Sequence, residues 1–188
     1  NLLARTAAVA ALCDVLQGRL AEAGMTELYE QIELPLCAVL ARMECAGVLV
    51  DQMALAAFGN MLSARIAACQ DVIFGYAGCE FNINSTKQLG ELLFEKLGLP
   101  ALKKTKSGYS TNADVLEKLK HKHPIIPSIL DYRMLTKLKS TYADGLLKEI
   151  ADDGRIHTTF QNMVTATGRL SSTEPNLQNI PVRTELGS

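Results

Sequence analysis

Residues 124–150 read PIIPSILDYRMLTKLKSTYADGLLKEI, and this stretch decides the fold class. Apolar residues recur at Ile126, Ile129, Leu130, Met134, Leu138, Tyr142, Leu146 and Ile150, the rhythm of a helix face turned to a core. Pro124 and Pro127 suit a first turn, where a missing N–H leaves no bond unmade. The pattern predicts one long helix to about Ala151. A second line, Arg133, Lys137 and Thr141, is spaced by four residues and so stacks along another face, flanked by Lys139 and Ser140. Two cations and hydroxyls in a row can meet successive phosphates of a nucleic-acid backbone, or can simply be solvated.

The upstream chain also reads as helix. Residues 2–22 are Ala- and Leu-rich and end near Gly24. A run from Glu27 to Cys45 puts Leu28, Ile32, Leu36, Val39, Leu40 and Met43 on one face, and Pro35 within it predicts a kink or a break. After the short β-branched stretch 47–50, Asp51 has the character of an N-cap for a helix to about Gly75. Ser85 and Gln88 have capping-box spacing and open a helix that stops at Gly98-Leu99-Pro100. Residues 101–110 (ALKKTKSGYS) read as a polar, basic loop, followed by a short helix from Asn112 to His121. Downstream, Ile156, Thr158 and Phe160, then Val164, Ala166, Gly168 and Leu170, alternate as two short strands. Residues 171–188, with Pro175 and Pro181, are expected to be extended or looped. The fold expected is therefore mainly α, with a small β element near the C-terminus that needs a partner outside this chain.

The 188 residues carry a net charge of −1 and are 48% hydrophobic, enough for a core and unlike a disordered chain. No apolar run reaches the ~18 residues that a membrane span needs, and the N-terminus lacks the build of a signal peptide. Cys13, Cys37, Cys45, Cys69 and Cys79 form no CxxC pair and sit among apolar residues, the pattern of reduced core thiols in a cytosolic protein. The charge is unevenly spread. Residues 1–52 hold three basic and seven acidic side chains, whereas residues 84–148 hold twelve and six. Such a basic module suits an anionic partner.

Catalytic signatures are missing: the sequence has no P-loop, dinucleotide fingerprint, HExxH or GxSxG. His121 and His123 are expected at a helix end rather than on a metal, His157 as a hydrogen-bonding residue, and Asp152-Asp153-Gly154 as a turn. The segment TATGRLSSTEPNLQNIPVRTELG (165–187) instead offers Thr165, Thr167, Arg169, Ser171, Ser172, Asn176, Gln178 and Asn179. Arg, Asn and Gln can grip the DNA minor groove without reading sequence, because every base pair presents acceptors there in similar places.

This segment resembles the stretch of family A DNA polymerases that enters the palm ahead of the first catalytic motif. The resemblance extends upstream through RMLTKLKSTYADGL, KKTKSGYSTNADVLEKL, FNINSTKQLGELLFEKLGLP and ELPLCAVLARMECAGVLVD, in order. It implies that residues 1–26 end a 3′–5′ exonuclease-like domain, 27–153 form a helical thumb with long antiparallel helices, and 154–188 begin a palm that stops short of its first metal-binding aspartate. It also implies a DNA-binding set. Asn82 and Ser85 match thumb positions near the primer backbone, and Arg133 and Lys137 match a phosphate-contacting pair. Arg169 matches the arginine that reaches the minor groove at the primer terminus, and Asn176, Gln178 and Asn179 match residues lining the template–primer groove. Lys87, Thr141 and Thr167 are added as DNA-binding candidates on the reading of the residues themselves, not on the resemblance. Gln161-Asn162 departs from the commoner order of that amide pair.

The function implied is that of part of a template-directed DNA polymerase, a nucleotidyltransferase, gripping double-stranded primer–template DNA and inactive without the rest of palm and fingers. No cofactor or metal is expected in these residues themselves. Mg²⁺ belongs to the complete polymerase, and a cytoplasmic, nucleoid-associated location is expected. The alternative reading is an autonomous helical protein-interaction module using the acidic N-terminal third.

Overall fold

The computed structural model describes residues 2–101, the backbone of 104–105, and 108–180. Helices run as α1 (Leu2–Glu22), α2 (Thr26–Leu28), α3 (Leu34–Ala46), α4 (Gln52–Ala77), α5 (Thr86–Gly90), α6 (Ala113–Leu119), α7 (Ile125–Leu138) and α8 (Asp144–Lys148). The strands are β1 (Val48–Leu49), β2 (Lys104–Thr105), β3 (Gly108–Tyr109), β4 (Arg155–Ile156), β5 (Thr159–Gln161) and β6 (Ser171–Thr173). They form three antiparallel pairs, β1–β4, β2–β3 and β5–β6. Helix dominates, as the apolar rhythm predicted. Residues 50–149 make one compact unit, and the flanking segments 1–49 and 150–188 make another.

In the flanking unit the α3 region shows how the chain accommodates Pro35. Proline cannot donate to the ladder, and the helix absorbs this with a π-helical turn over Tyr29–Glu33, in which the Leu34 N–H bonds the Tyr29 carbonyl. Pro35 then falls in the first turn of α3. The helix is rewound rather than broken. Glutamates of this helical run hold β5: the Glu44 carboxylate accepts from the Phe160 N–H (2.7 Å), and Glu33 accepts from the Asn162 amide (2.8 Å). Leu40 and Ile156 are the buried large apolar side chains of this unit among the described residues. The α1 helix buries none of its residues.

The second expected strand, over residues 164–170, is absent. Residues 162–170 turn, Gly168 lies at φ 70°, and the strand that pairs with β5 is β6, in the register Thr159–Thr173 and Gln161–Ser171. The alternation in 164–170 carried too few large side chains to distinguish a strand from a loop. Residues 174–180 are looped, with a cis Glu174–Pro175 bond. The tail expectation for 181–188 lies outside the described residues.

The inserted unit holds the main core. Asp51 caps α4 by accepting from the Ala54 N–H (2.9 Å), and Gly78 ends it in the left-handed region at φ 68°. The helix stops two residues beyond the expected Gly75. Ser85 caps α5, which passes into a π-helical turn at Glu91–Lys96 and ends at Gly98, with the Leu99 N–H bonded to the Leu93 carbonyl. Gln88 does not close the box onto Ser85. Its side chain reaches back to the Asn82 N–H (2.8 Å).

The α4 helix packs along α7, and their seam meets Leu89, Leu93, Leu116, Leu119 and Ile126, all essentially inaccessible. Gly59 brings α4 close to the end of this seam, where a Cβ would lie 3.4 Å from that of Ala143. The face of α7 is rotated from the expected one: Tyr132 and Leu135 are buried, and Met134 is 45% exposed. The helix also changes pitch, with a π-helical turn over Lys139–Ala143 before α8. A single 3.6-residue pattern across 124–150 averages over that change. The thiols depart from expectation too, since Cys13, Cys37, Cys45 and Cys79 are exposed and Cys69 is partly buried.

Candidate nucleic-acid interface

The expected contact residues fall into two sets, one in each unit. In the inserted unit, α5, α7 and the link from β3 to α6 enclose a cleft of about 610 Å³. Its walls include Lys87, Arg133, Asn84, Thr86, Ser110, Thr111 and Asn112. Short polar side chains dominate because each begins or ends an element. Ser85 accepts from the Gln88 N–H at the start of α5, and Asn112 accepts from the Val115 N–H (3.0 Å) at the start of α6. Asn82 folds the turn before α5, its side chain accepting from the Asn84 N–H (3.0 Å). Glu91 and Glu95 also line it, so the result is a concave surface of amides and hydroxyls with two cations and two carboxylates.

Arg133 is engaged within the protein. Its guanidinium donates to the Thr111 carbonyl and to the Thr111 hydroxyl (3.2 Å), tying α7 to the loop before α6. Partial burial lowers its pKa from the ordinary value, yet a guanidinium stays charged. Asn84 completes the brace with a bond to the Tyr132 hydroxyl (3.4 Å). Lys137 is exposed on the next turn of α7, and Thr141 is exposed within the π-helical turn, where four-residue stacking no longer holds strictly. Thr111 and Asn84 were missed as candidates. The signal available was the polar run 110–112 directly before a helix, whose residues Ser110 and Thr111 are buried at 8% and 3% exposure.

In the flanking unit, Thr167, Arg169, Asn176, Gln178 and Asn179 are all exposed. The Thr165 hydroxyl donates to the Arg169 carbonyl (2.5 Å), so backbone bonds rather than the guanidinium shape this turn. Gln178 is a structural brace: its amide donates to the Leu170 carbonyl (2.5 Å) and its oxygen accepts from the Ser172 N–H (3.4 Å). Asn176 accepts from the Gln178 N–H (2.9 Å), and the Thr158 hydroxyl reaches the Thr173 and Pro175 carbonyls. The amide cluster is thus held in a fixed shape by its own side chains.

The sequence pattern of DNA polymerase family A matches residues 52–188. The chain belongs to that family. It is 51% identical to DNA polymerase I of Bacillus subtilis (strain 168) over 96% of its own length and 21% of that protein. It is likewise 51% identical to DNA polymerase I of Geobacillus stearothermophilus, over all of this chain and 22% of the relative. It therefore spans about a fifth of these curated relatives. Among solved structures it is similar to the POL domain of Pol1 from M. smegmatis in complex with DNA primer-template and dNTP, with a TM-score of 0.87 and 46% identity. That match covers 97% of this chain and 32% of the other.

Family A polymerases use divalent metal ions. Among the described residues no group of three or more His, Cys, Asp or Glu side chains could hold one. Also among the described residues, no helix is long and apolar enough to cross a membrane.

Proposed function

We propose that this chain is the duplex-gripping part of a bacterial template-directed DNA polymerase. Residues 27–153 act as its thumb, 154–188 as the start of its palm, and 1–26 as the end of an exonuclease-like domain. Its proposed partners are primer–template duplex and the remainder of the polymerase, in the nucleoid-bearing cytoplasm. The inserted unit meets the sugar–phosphate backbone with Lys87 in the cleft wall and Lys137 on the exposed face of α7 as phosphate contacts, and with Asn82, Ser85 and Thr141 as hydrogen-bonding groups. Arg133 shapes the cleft through Thr111 while adding its charge. Thr167, Arg169, Asn176, Gln178 and Asn179 serve the minor groove, where uniform acceptors allow sequence-independent grip. This chain supplies grip and not chemistry, because the resemblance places the metal-binding carboxylates of the family in motifs outside these 188 residues.

The observation that carries the reading is the exposed Lys137, one turn of α7 beyond Arg133 and outside a cleft whose walls hold Lys87 and Arg133 together with Glu91 and Glu95, in a chain of this family. The test is fluorescence anisotropy on primer–template duplex across a salt series. Binding should be sequence-independent and fall steeply with salt, and Lys137→Ala should reduce the log–log slope by roughly one unit. An unchanged slope in that variant, or affinity that ignores salt, would remove the phosphate-contact assignment.

A further inference from the structure

Away from the cleft, at the C-terminal end of α4, a thiol and an amine meet. The Lys96 Nζ lies 3.4 Å from the Cys79 Sγ. Both are anchored on one acceptor: the amine donates to the Ala77 carbonyl at 2.7 Å, and the thiol approaches the same oxygen at 3.8 Å. The anchoring follows from local structure. Gly78 turns the chain in the left-handed region just after α4, exposing the Ala77 carbonyl as an end-of-helix acceptor, and Lys96 reaches it from the last position of the Glu91–Lys96 turn. Cys79 is exposed, and with Phe81, Leu92 and Lys96 it lines an open cleft of about 560 Å³. Among the described residues no other cysteine has a lysine amine within bonding distance.

We propose that Cys79 and Lys96 form a peroxide-driven sulfenamide cross-link, a reversible modification site independent of the DNA-binding reading. The chemistry has two steps. The Cys79 thiolate attacks hydrogen peroxide and breaks its O–O bond, giving the sulfenic acid and hydroxide, which takes a proton from solvent to become water: sulfur is oxidised by two electrons and peroxide is reduced. The unprotonated Lys96 amine, its ammonium proton having passed to solvent, then attacks sulfur. An S–N bond forms, the S–O bond breaks, and hydroxide leaves with the amine's second proton as water. The amine already stands beside the sulfur, so the second step needs only a small movement of a flexible side chain and outpaces encounter with a thiol from solution. A thiol reductant reverses the link. The closed loop runs from residue 79 to 96 and contains Asn82, Ser85 and Lys87.

The test treats the full chain with hydrogen peroxide in mildly alkaline buffer, digests it with a protease that does not cut at lysine, and maps it by mass spectrometry. The expected product is a linked peptide joining Cys79 to Lys96, lighter than the two reduced peptides together by about 2 Da and released by dithiothreitol. Cys79→Ser should abolish it. Lys96→Arg, which keeps a donor for the Ala77 carbonyl and so the local fold, should abolish it as well, leaving Cys79 sulfinic acid in its place. The proposal is overturned if wild-type Cys79 is found only as sulfinic acid or disulfide, or if Lys96→Arg still shows the 2 Da loss at Cys79, which would assign the amine to the backbone.

Discussion

The His157 ring shows how much a single residue can hold. Its Nδ1 lies 2.7 Å from the Glu44 carbonyl and its Nε2 lies 3.0 Å from an Asp153 carboxylate oxygen. Both partners are acceptors, so both hydrogen bonds exist only when the ring carries two protons. The Glu44 carbonyl belongs to the last turn of α3, whose dipole also favours a cation there. The histidine pKa is accordingly raised, first by the Glu44 carbonyl and then by Asp153, while that of Asp153 is lowered, first by the bond from His157. A raised histidine contributes stability that is complete below its unfolded value, about 6.5, and is lost as pH rises through the folded one. The depressed aspartate contributes above about 3.9 and loses its share as pH falls through its own lowered value. The melting-temperature difference between wild type and His157→Gln should therefore be largest in mildly acid buffer and shrink as pH rises past neutrality. A difference that is flat from pH ~5 to ~9 would show that the ring packs without titrating. Gly47 faces the same ring at φ 63°, and a Cβ there would lie 2.8 Å from the His157 Cε1. Gly47→Ala combines that overlap with backbone strain, so urea denaturation should show a loss of about 1–3 kcal/mol.

Among the elements, the capping residues were the most readable features. Asp51 and Ser85 accept from the N–H three residues on, as their side-chain chemistry and position foretold, and Asn112, read only as the start of a helix, caps α6 in the same way. Asp51→Ala should consequently cost about 1 kcal/mol, seen as a lower denaturation midpoint with unchanged slope. What could not be read was pitch. Among the described residues, π-helical turns at Tyr29–Glu33, Glu91–Lys96 and Lys139–Ala143 shift the register of the helical residues after them. Only the first has a visible cause, in Pro35. The third accompanies an ion pair from Lys139 to Asp144 at 2.6 Å, a five-residue spacing that a uniform α-helix search does not look for. The same limit applies to residues 101–110, expected as a loop, where β2 and β3 pair across a two-residue connection. Among the site residues, charge and amide content selected Arg133 and Gln178. Their internal bonds to Thr111 and Leu170 depend on chain segments 22 and 8 residues away, beyond any local pattern.

At the scale of the whole molecule, the two sets of exposed polar residues are expected to do different work. Phosphate contacts set affinity, and minor-groove contacts at a primer end set geometry. If the proposed function holds, then in a complete polymerase containing this chain Arg169→Ala should slow single-turnover incorporation roughly tenfold or more, about 1.4 kcal/mol, while duplex affinity changes much less. The fold should survive, because the bond from Thr165 reaches the Arg169 carbonyl and not its guanidinium. A large fall in melting temperature with normal incorporation by the folded remainder would instead make Arg169 a structural residue.

The pairing of Val48 with Ile156 and Leu49 with Arg155 joins residues more than a hundred positions apart, whereas residues 50–149 form their unit from one continuous stretch. During synthesis that stretch is complete, as a self-sufficient sequence, before the second half of the flanking unit has been made. The flanking unit, by contrast, waits with residues 1–49 already outside the exit tunnel until residue 156 arrives to pair with Val48. At ~5–20 residues per second that interval lasts seconds to tens of seconds. Over that time the backbone groups of Val48 and Leu49 stand without the strand that pairs with them.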